Sequence, residues 1–449
     1  MHRRAILTAA LLVLTTLRAA AAATGEAAAL IHQATPESVG FSNERLKRLD
    51  VATERAISSG EYAGAVILAA RHGKVIYFRS HGHQDLHSGS LMKPDTIFRI
   101  FSMTKAVTAA AMMILYEEGR WSQQDPISKF IPQFAGLKVY QGVDPASRML
   151  LEEPQHPPTM HELMTMTAGF SYGLDSNPAE RLYRDSQDRN IFWSGSLSAL
   201  IERLAAAPLL YQPGTRWMYS VSADVQGYII KRLSGLTFPD FLAQRLFRPL
   251  RMTDTDFFVP AEKHSRLATL YKMSDQGQLR VTEEAKAFGY DFDKPPALPT
   301  GGGGLVSTAV DFYRFAQMLS NGGELDGVRI LGPQTVKLII SNHLSAALMP
   351  EFRGGGYEFN KPRRGVGYGY NGAVIVDPGE ADMPLGKGSY LWDGAAGTWF
   401  WIDPTNDIVC VGMAQRWGWG IQRNTAGLPT SLEQLTMATL YQALLRPDL

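Results

Sequence analysis

Two β-rich stretches near opposite ends of the chain constrain the fold more than anything between them. "AGAVILAARHGKVIYFRSHG" (63–82) is a pair of apolar, β-branched runs broken at His72 and Gly73. "GTWFWIDPTNDIVCVGMAQ" (397–415) repeats the pattern around Pro404 to Asp407. Each reads as a hairpin. Between them the apolar residues recur at three and four spacing, in "AVTAAAMMILYEEGR", "HELMTMTAG", "LSALIERLAAA", "SADVQGYIIKRLSG" and "AVDFYRFAQMLSNGG", which is the period of helices. The expected class is therefore α+β, an antiparallel β-sheet built from both chain ends and flanked by helices, with a mainly helical lobe inserted. We place the sheet domain at 24–115 and 295–449 and the helical domain at 116–294. Gln141 to Pro158 and the segment "EFRGGGYEFNKPRRG" read as surface loops.

The chain has 449 residues, enough for a large core and two lobes. Lysine plus arginine (44) nearly balances aspartate plus glutamate (43), so no strong field gathers nucleic acid or an anionic membrane. A small, weakly charged substrate is expected. The first residues, with Arg3 and Arg4, an apolar run to Leu17 and small residues near Ala22 and Ala23, read as a signal peptide over 1–23. This predicts a periplasmic or secreted protein, with the paired arginines admitting the twin-arginine route. The run is short for a membrane anchor, so no stable membrane insertion is expected. Protein partners are not legible. The single cysteine, Cys410, excludes an intramolecular disulfide and lies in the apolar "DIVCVGM", as a buried structural thiol would.

The stretch "SLMKPDTIFRIFSMTK" (90–105) contains Ser-x-x-Lys twice. A chain this long carries about one or two such matches by chance. Pro94 follows Lys93 and keeps that residue out of the helical region, so Ser90 and Lys93 should not share a helix face. Ser102 instead follows "TIFRIF" and opens a run of helix formers, which puts Lys105 one turn along the same face. There the positive end of the helix dipole favours loss of a proton from a hydroxyl or from the lysine itself. Locally, a serine that merely caps the helix beside a solvated lysine fits equally well.

Further elements follow in order: "YQPGTRWMYSVSADVQGYI" with Tyr219, "GGGGLVSTAVDF", and "SYLWDGAAGTWFWIDP". This order resembles the family of class C serine β-lactamases, DD-peptidases and family VIII carboxylesterases, from about residue 36 to the end. The resemblance implies Ser102 as nucleophile, Lys105 as its helix partner and Tyr219 as general base. A phenol of ordinary pKa about 10 would need the Lys105 cation nearby to act as a base. It also implies an oxyanion hole from the N–H groups of Ser102 and of Ala395, the residue after Gly394 on the edge strand, where small residues permit close backbone approach.

Two departures from the lactamase pattern bear on substrate. Trp392, Asp393 and Gly394 stand where class C enzymes have Lys-Thr-Gly, so Trp392 offers an apolar face in place of a cation. Val221 replaces an asparagine that contacts the substrate amide. Both favour neutral esters over β-lactams, with Trp392, Gly394 and Val221 as substrate-binding positions and Trp217 and Trp399 as further candidates for an acyl pocket. The expectation is a serine hydrolase of short-chain carboxylic esters, without cofactor or metal. A β-lactamase, a D-amino-acid peptidase, an acyltransferase of the same fold and a non-catalytic cell-wall peptide-binding module are the alternatives. "GFSYG" around Ser171 matches Gly-x-Ser-x-Gly, but the preceding "HELMTMTA" reads as a helix where that motif needs a strand. Gly301 to Gly304 lack the Lys-Ser/Thr of a phosphate loop. His161 lacks a second zinc-helix histidine, and His81 with His83 falls in a turn-rich segment.

Overall fold

Gly64–Arg71 (β1) buries all eight of its residues, which a strand does at the centre of a sheet covered on both faces. Lys74–Asp85 (β2) and Ser90–Leu91 (β3) extend the sheet on one side. On the other side lie Val366–Tyr368 (β4), Ala373–Ile375 (β5), Tyr390–Gly394 (β6), Thr398–Asp403 (β7) and Ile408–Ala414 (β8). The spatial order is β4-β5-β6-β7-β8-β1-β2-β3, with every neighbouring pair antiparallel. The two chain ends meet at its centre, where β1 and β8 pair from Ala65 opposite Ala414 to Arg71 opposite Ile408. The computed structural model describes residues 30–174, 176–185, 187–349, 363–418 and 431–449. The leader expected over 1–23 and most of the 351–365 loop lie outside the described residues.

Asn43–Ser58 (α1), Thr104–Glu117 (α2), Met160–Met164 (α3), Leu197–Ala205 (α4), Ser222–Ser234 (α5), Ala309–Ser320 (α6) and Leu432–Ala443 (α7) carry most of the helical packing. The alternation along β7 assigns its faces. Phe400 meets Phe312 of α6, ring centres 5.0 Å apart, and on the opposite face Tyr441 of α7 donates to Asp403 at 2.6 Å. Trp399 also packs within the sheet, since a Cβ on Gly412 would fall 2.0 Å from its ring. Cys410 is fully buried on β8. Helix α2 buries twelve of its fourteen residues and so serves as a rigid platform rather than a surface helix.

Three local readings change. Part of the segment expected as a loop after Gln141 is an exposed hairpin, Val139–Val143 with Met149–Glu152, closed by Asp144 accepting from the N–H groups of Ala146 and Arg148. Neither strand of that hairpin has a well-buried face, so period-two alternation was not there to be read. The helix expected over 161–169 stops at Met164, because Met166 turns the chain with a positive φ of 59°. His81 and His83 lie within β2, not in a turn. Among the described residues no helix is long and apolar enough to cross a membrane.

Candidate active site

Ser102 stands in the single turn Phe101–Met103 that leads into α2. The backbone before it is strained: Phe101 has φ 40°, a region that bulky side chains avoid and that costs on the order of 1–3 kcal/mol. Packing holds it there, since the buried Phe101 ring meets Trp417, Phe292 and Tyr290 edge-on at 5.1, 5.5 and 5.6 Å. The Ser102 hydroxyl accepts a hydrogen bond from Tyr219 Oη at 2.7 Å and lies 3.2 Å from Lys105 Nζ. The alternative of a serine capping a helix beside a solvated lysine is not what forms, for Lys105 is 1% exposed.

Lys105 Nζ also bonds Gly302 O, at 2.5 Å, and lies 4.6 Å from the centre of the Tyr219 ring. Burial pushes its ammonium down to about 7, with Asp224 and then Asp393 opposing the shift. Asp224, on the first turn of α5, is fully buried and accepts from Gly302 N–H at 2.9 Å. Desolvation raises its carboxyl, and Lys105 pulls it back. The glycine run from Gly301 to Gly304 is a close-packing wall. A Cβ on Gly301 would fall 2.2 Å from Ala223 O, and one on Gly302 2.8 Å from Asp224 Oδ2.

Tyr219 arrives on the segment just before α5, in a cage of aromatic rings, with Tyr172 at 5.4 Å, Trp392 at 5.6 Å and Trp217 stacked at 6.2 Å. Burial raises its phenol well above the ordinary value, and the Ser102 hydroxyl and Trp392 indole offset only part of this. Lys105, expected to lower it, lies over the ring face and is itself pushed by burial toward the neutral amine. The phenol is a hydrogen-bond donor here.

Gly394 ends β6 against the backbone that precedes Ser102: a Cβ there would fall 2.3 Å from Ile100 O. The Gly394 carbonyl accepts from Gly397 N–H at 2.9 Å, so in the shared trans peptide the Ala395 N–H points out of that turn. Strand β6 is not the edge strand it was expected to be, since β5 and β4 lie beyond it. Its pairing with β5 involves only Tyr390 and Leu391, which leaves the Trp392 to Gly394 end without that neighbour. Trp392 joins Tyr219 and Tyr368, with ring centres 5.6 Å from each. Val221, expected to face substrate, is fully buried in the core at the start of α5, and Trp399 is a packing residue of the sheet. Ser90 is exposed on β3 and bonds Ser88, while Ser171 Oγ accepts from Gly173 N–H in a closed turn.

Tyr172, Asp224 and the strained Phe101 escaped the sequence reading. Tyr172 lay inside the declined "GFSYG" motif, Asp224 looked like an ordinary first-turn acid, and a positive φ at phenylalanine has no compositional sign. What the cluster can do is move a proton from the half-buried Ser102 hydroxyl to the buried Lys105 nitrogen beside it and support the charge that results. A family model described as Beta-lactamase matches residues 49–428. The protein Rv1367c of Mycobacterium tuberculosis is 34% identical over 80% of this chain and 86% of its own length. Esterase EstB of Burkholderia gladioli is 30% identical over 79% and 86% respectively. The solved structure of EstCE1, described as a hydrolase with promiscuous acyltransferase activity, superposes with a TM-score of 0.70 at 25% identity over 88% of this chain and 98% of its own.

Proposed function

The chain belongs to the β-lactamase family, and from that premise we propose that it is a serine esterase that forms an acyl-enzyme on Ser102 with a short-chain carboxylic ester. The observation that carries this reading is the Ser102 hydroxyl set between a donor phenol at 2.7 Å and a buried amine at 3.2 Å. Neutral Lys105 takes the serine proton as Oγ attacks the ester carbonyl. The oxyanion is met by the N–H groups of Ser102 and Ala395. Tyr219 donates its proton to the departing alkoxide and recovers one from Lys105. Water then releases the acid by the reverse relay. In this scheme the lysine is the base and the phenol the shuttle, which inverts the roles expected from the motif order. An apolar Trp392 in place of a cation supports neutral esters over β-lactams that bear a carboxylate, and the likeness to EstB supports the same class.

Acyl transfer to an alcohol is a second reading, favoured by the buried aromatic rings packed around Tyr219, which limit the access of water to its phenol. The likeness to EstCE1 points the same way. Export rests on residues 1–23, and N-terminal sequencing of the protein recovered outside the cytoplasm tests it.

The experiment is the initial rate of p-nitrophenyl butyrate hydrolysis by wild type beside Ser102→Ala, Ser90→Ala and Ser171→Ala. Loss in Ser102→Ala alone is expected. A Ser102→Ala protein that still turns over the ester removes the acyl-enzyme, and an inactive wild type removes the esterase.

A further inference from the structure

Asp224 has one oxygen at work and one idle. Its Oδ1 accepts from Gly302 N–H, and its Oδ2 is buried with no hydrogen-bond partner. A buried carboxylate with an unused oxygen is costly unless a cation is near. The group that can become that cation is Lys105, reached across one residue, because Gly302 turns its N–H to Asp224 and its carbonyl to Lys105 Nζ. There is no room for a side chain between them, as a Cβ on Gly302 would stand 2.8 Å from Oδ2. We propose that Asp224 is a positioning residue for the reaction: acting across Gly302, its carboxylate holds Lys105 Nζ toward Ser102 and balances the ammonium formed when Lys105 takes the serine proton.

The inference rests on the serine esterase reading. In the step it serves, the Ser102 O–H bond breaks, a Lys105 N–H bond forms, and the new cation faces an existing anion. The other groups that act on Lys105 are Asp393 of β6 and the rings of Tyr172 and Tyr219, and Asp224 also lies within electrostatic reach of Tyr172, Tyr219 and Tyr290. Asp224 is the strongest of the charges acting on the lysine. The rival role is a first-turn acid that only completes the N-terminus of α5.

Asp224→Asn keeps the volume and an oxygen for Gly302 N–H and removes the charge. With p-nitrophenyl butyrate, kcat should fall about 10- to 100-fold with KM within about twofold. The acid limb of kcat/KM should move to lower pH by about one unit, because an ammonium without its anion gives up its proton more readily. The same downward move is expected in the Lys105 Nζ titration followed by NMR on lysine-labelled protein, with Lys105→Gln as the assignment control. This readout does not depend on turnover. If wild type hydrolyses no ester, the esterase reading fails while the titration still decides the role of Asp224. An unmoved limb and titration in Asp224→Asn overturn the proposal, whatever the rate. Should Asp224→Asn fail to fold, Gly302→Ala, which displaces the carboxylate but keeps its charge, should move the titration the same way, and an unmoved value is the overturning result.

Discussion

Burial acts on the two groups beside Ser102 in opposite senses, and this decides which of them can accept a proton. Desolvation penalises the charged form of each, so the lysine is driven toward the amine and the tyrosine kept as the phenol. Below about 7 the Lys105 ammonium has no lone pair for the serine proton, and above it the amine does. The value of kcat/KM for p-nitrophenyl butyrate should therefore rise with pH through that region and level off. A profile that rises only in the ordinary lysine range, near pH 10, would return Lys105 to a permanent cation. Tyr219→Phe keeps the ring that packs on Trp392 and removes the O–H. It should lower kcat by about 100-fold or more with the fold intact, and a loss below about tenfold would take the phenol out of the proton path.

At the scale of elements, the site depends on how closely β6 approaches the turn before α2. Gly394 makes that approach possible, since a Cβ would fall 2.3 Å both from Ile100 O and from Thr398 Oγ1. Gly394→Ala should push the strand end away from Ser102. The expected outcome is a kcat loss of about 100-fold for a stability cost of about 1–3 kcal/mol, read by comparing kinetics with urea unfolding. Equal kcat in the variant would mean that the strand end has no part in binding the oxyanion. Helix α2 is held in register from the far side by Asn371, which donates to Lys105 O at 3.0 Å and to Gln226 Oε1 at 2.7 Å, tying the β4–β5 turn to α2 and α5. Asn371 adopts φ 58°, which asparagine tolerates better than most residues.

For the whole molecule, near-balanced charge and a sheet closed by both chain ends set the behaviour. With a formal net charge of +1, there is little long-range field to steer a neutral ester. Between about 0.05 and 0.5 M NaCl, kcat/KM should change by less than about twofold. A steep fall with salt would mean that a local charge cluster, not the apolar wall, captures substrate. Pairing of β1 with β8 joins residues more than three hundred positions apart, so the β1–β2 and β7–β8 hairpins can form locally but the sheet cannot close at its centre until nearly the whole chain is present.

The sequence by itself determined the antiparallel sheet from the two chain ends, because alternating and continuous β-rich runs around short turns are local patterns. It also determined the neighbourhood of Ser102 and Lys105, because three residues on a helix is a fixed distance. Tyr219 came from the order of motifs, not from any local signal. Tertiary structure decided the rest. That Lys105 is dry, that Tyr219 is a donor, that Val221 and Trp399 belong to the core and that β6 is flanked by two further strands all depend on which distant segments cover them. Solvent exclusion sets these ionisation states, and it is a property of the assembled shell of residues that no spacing in the chain records.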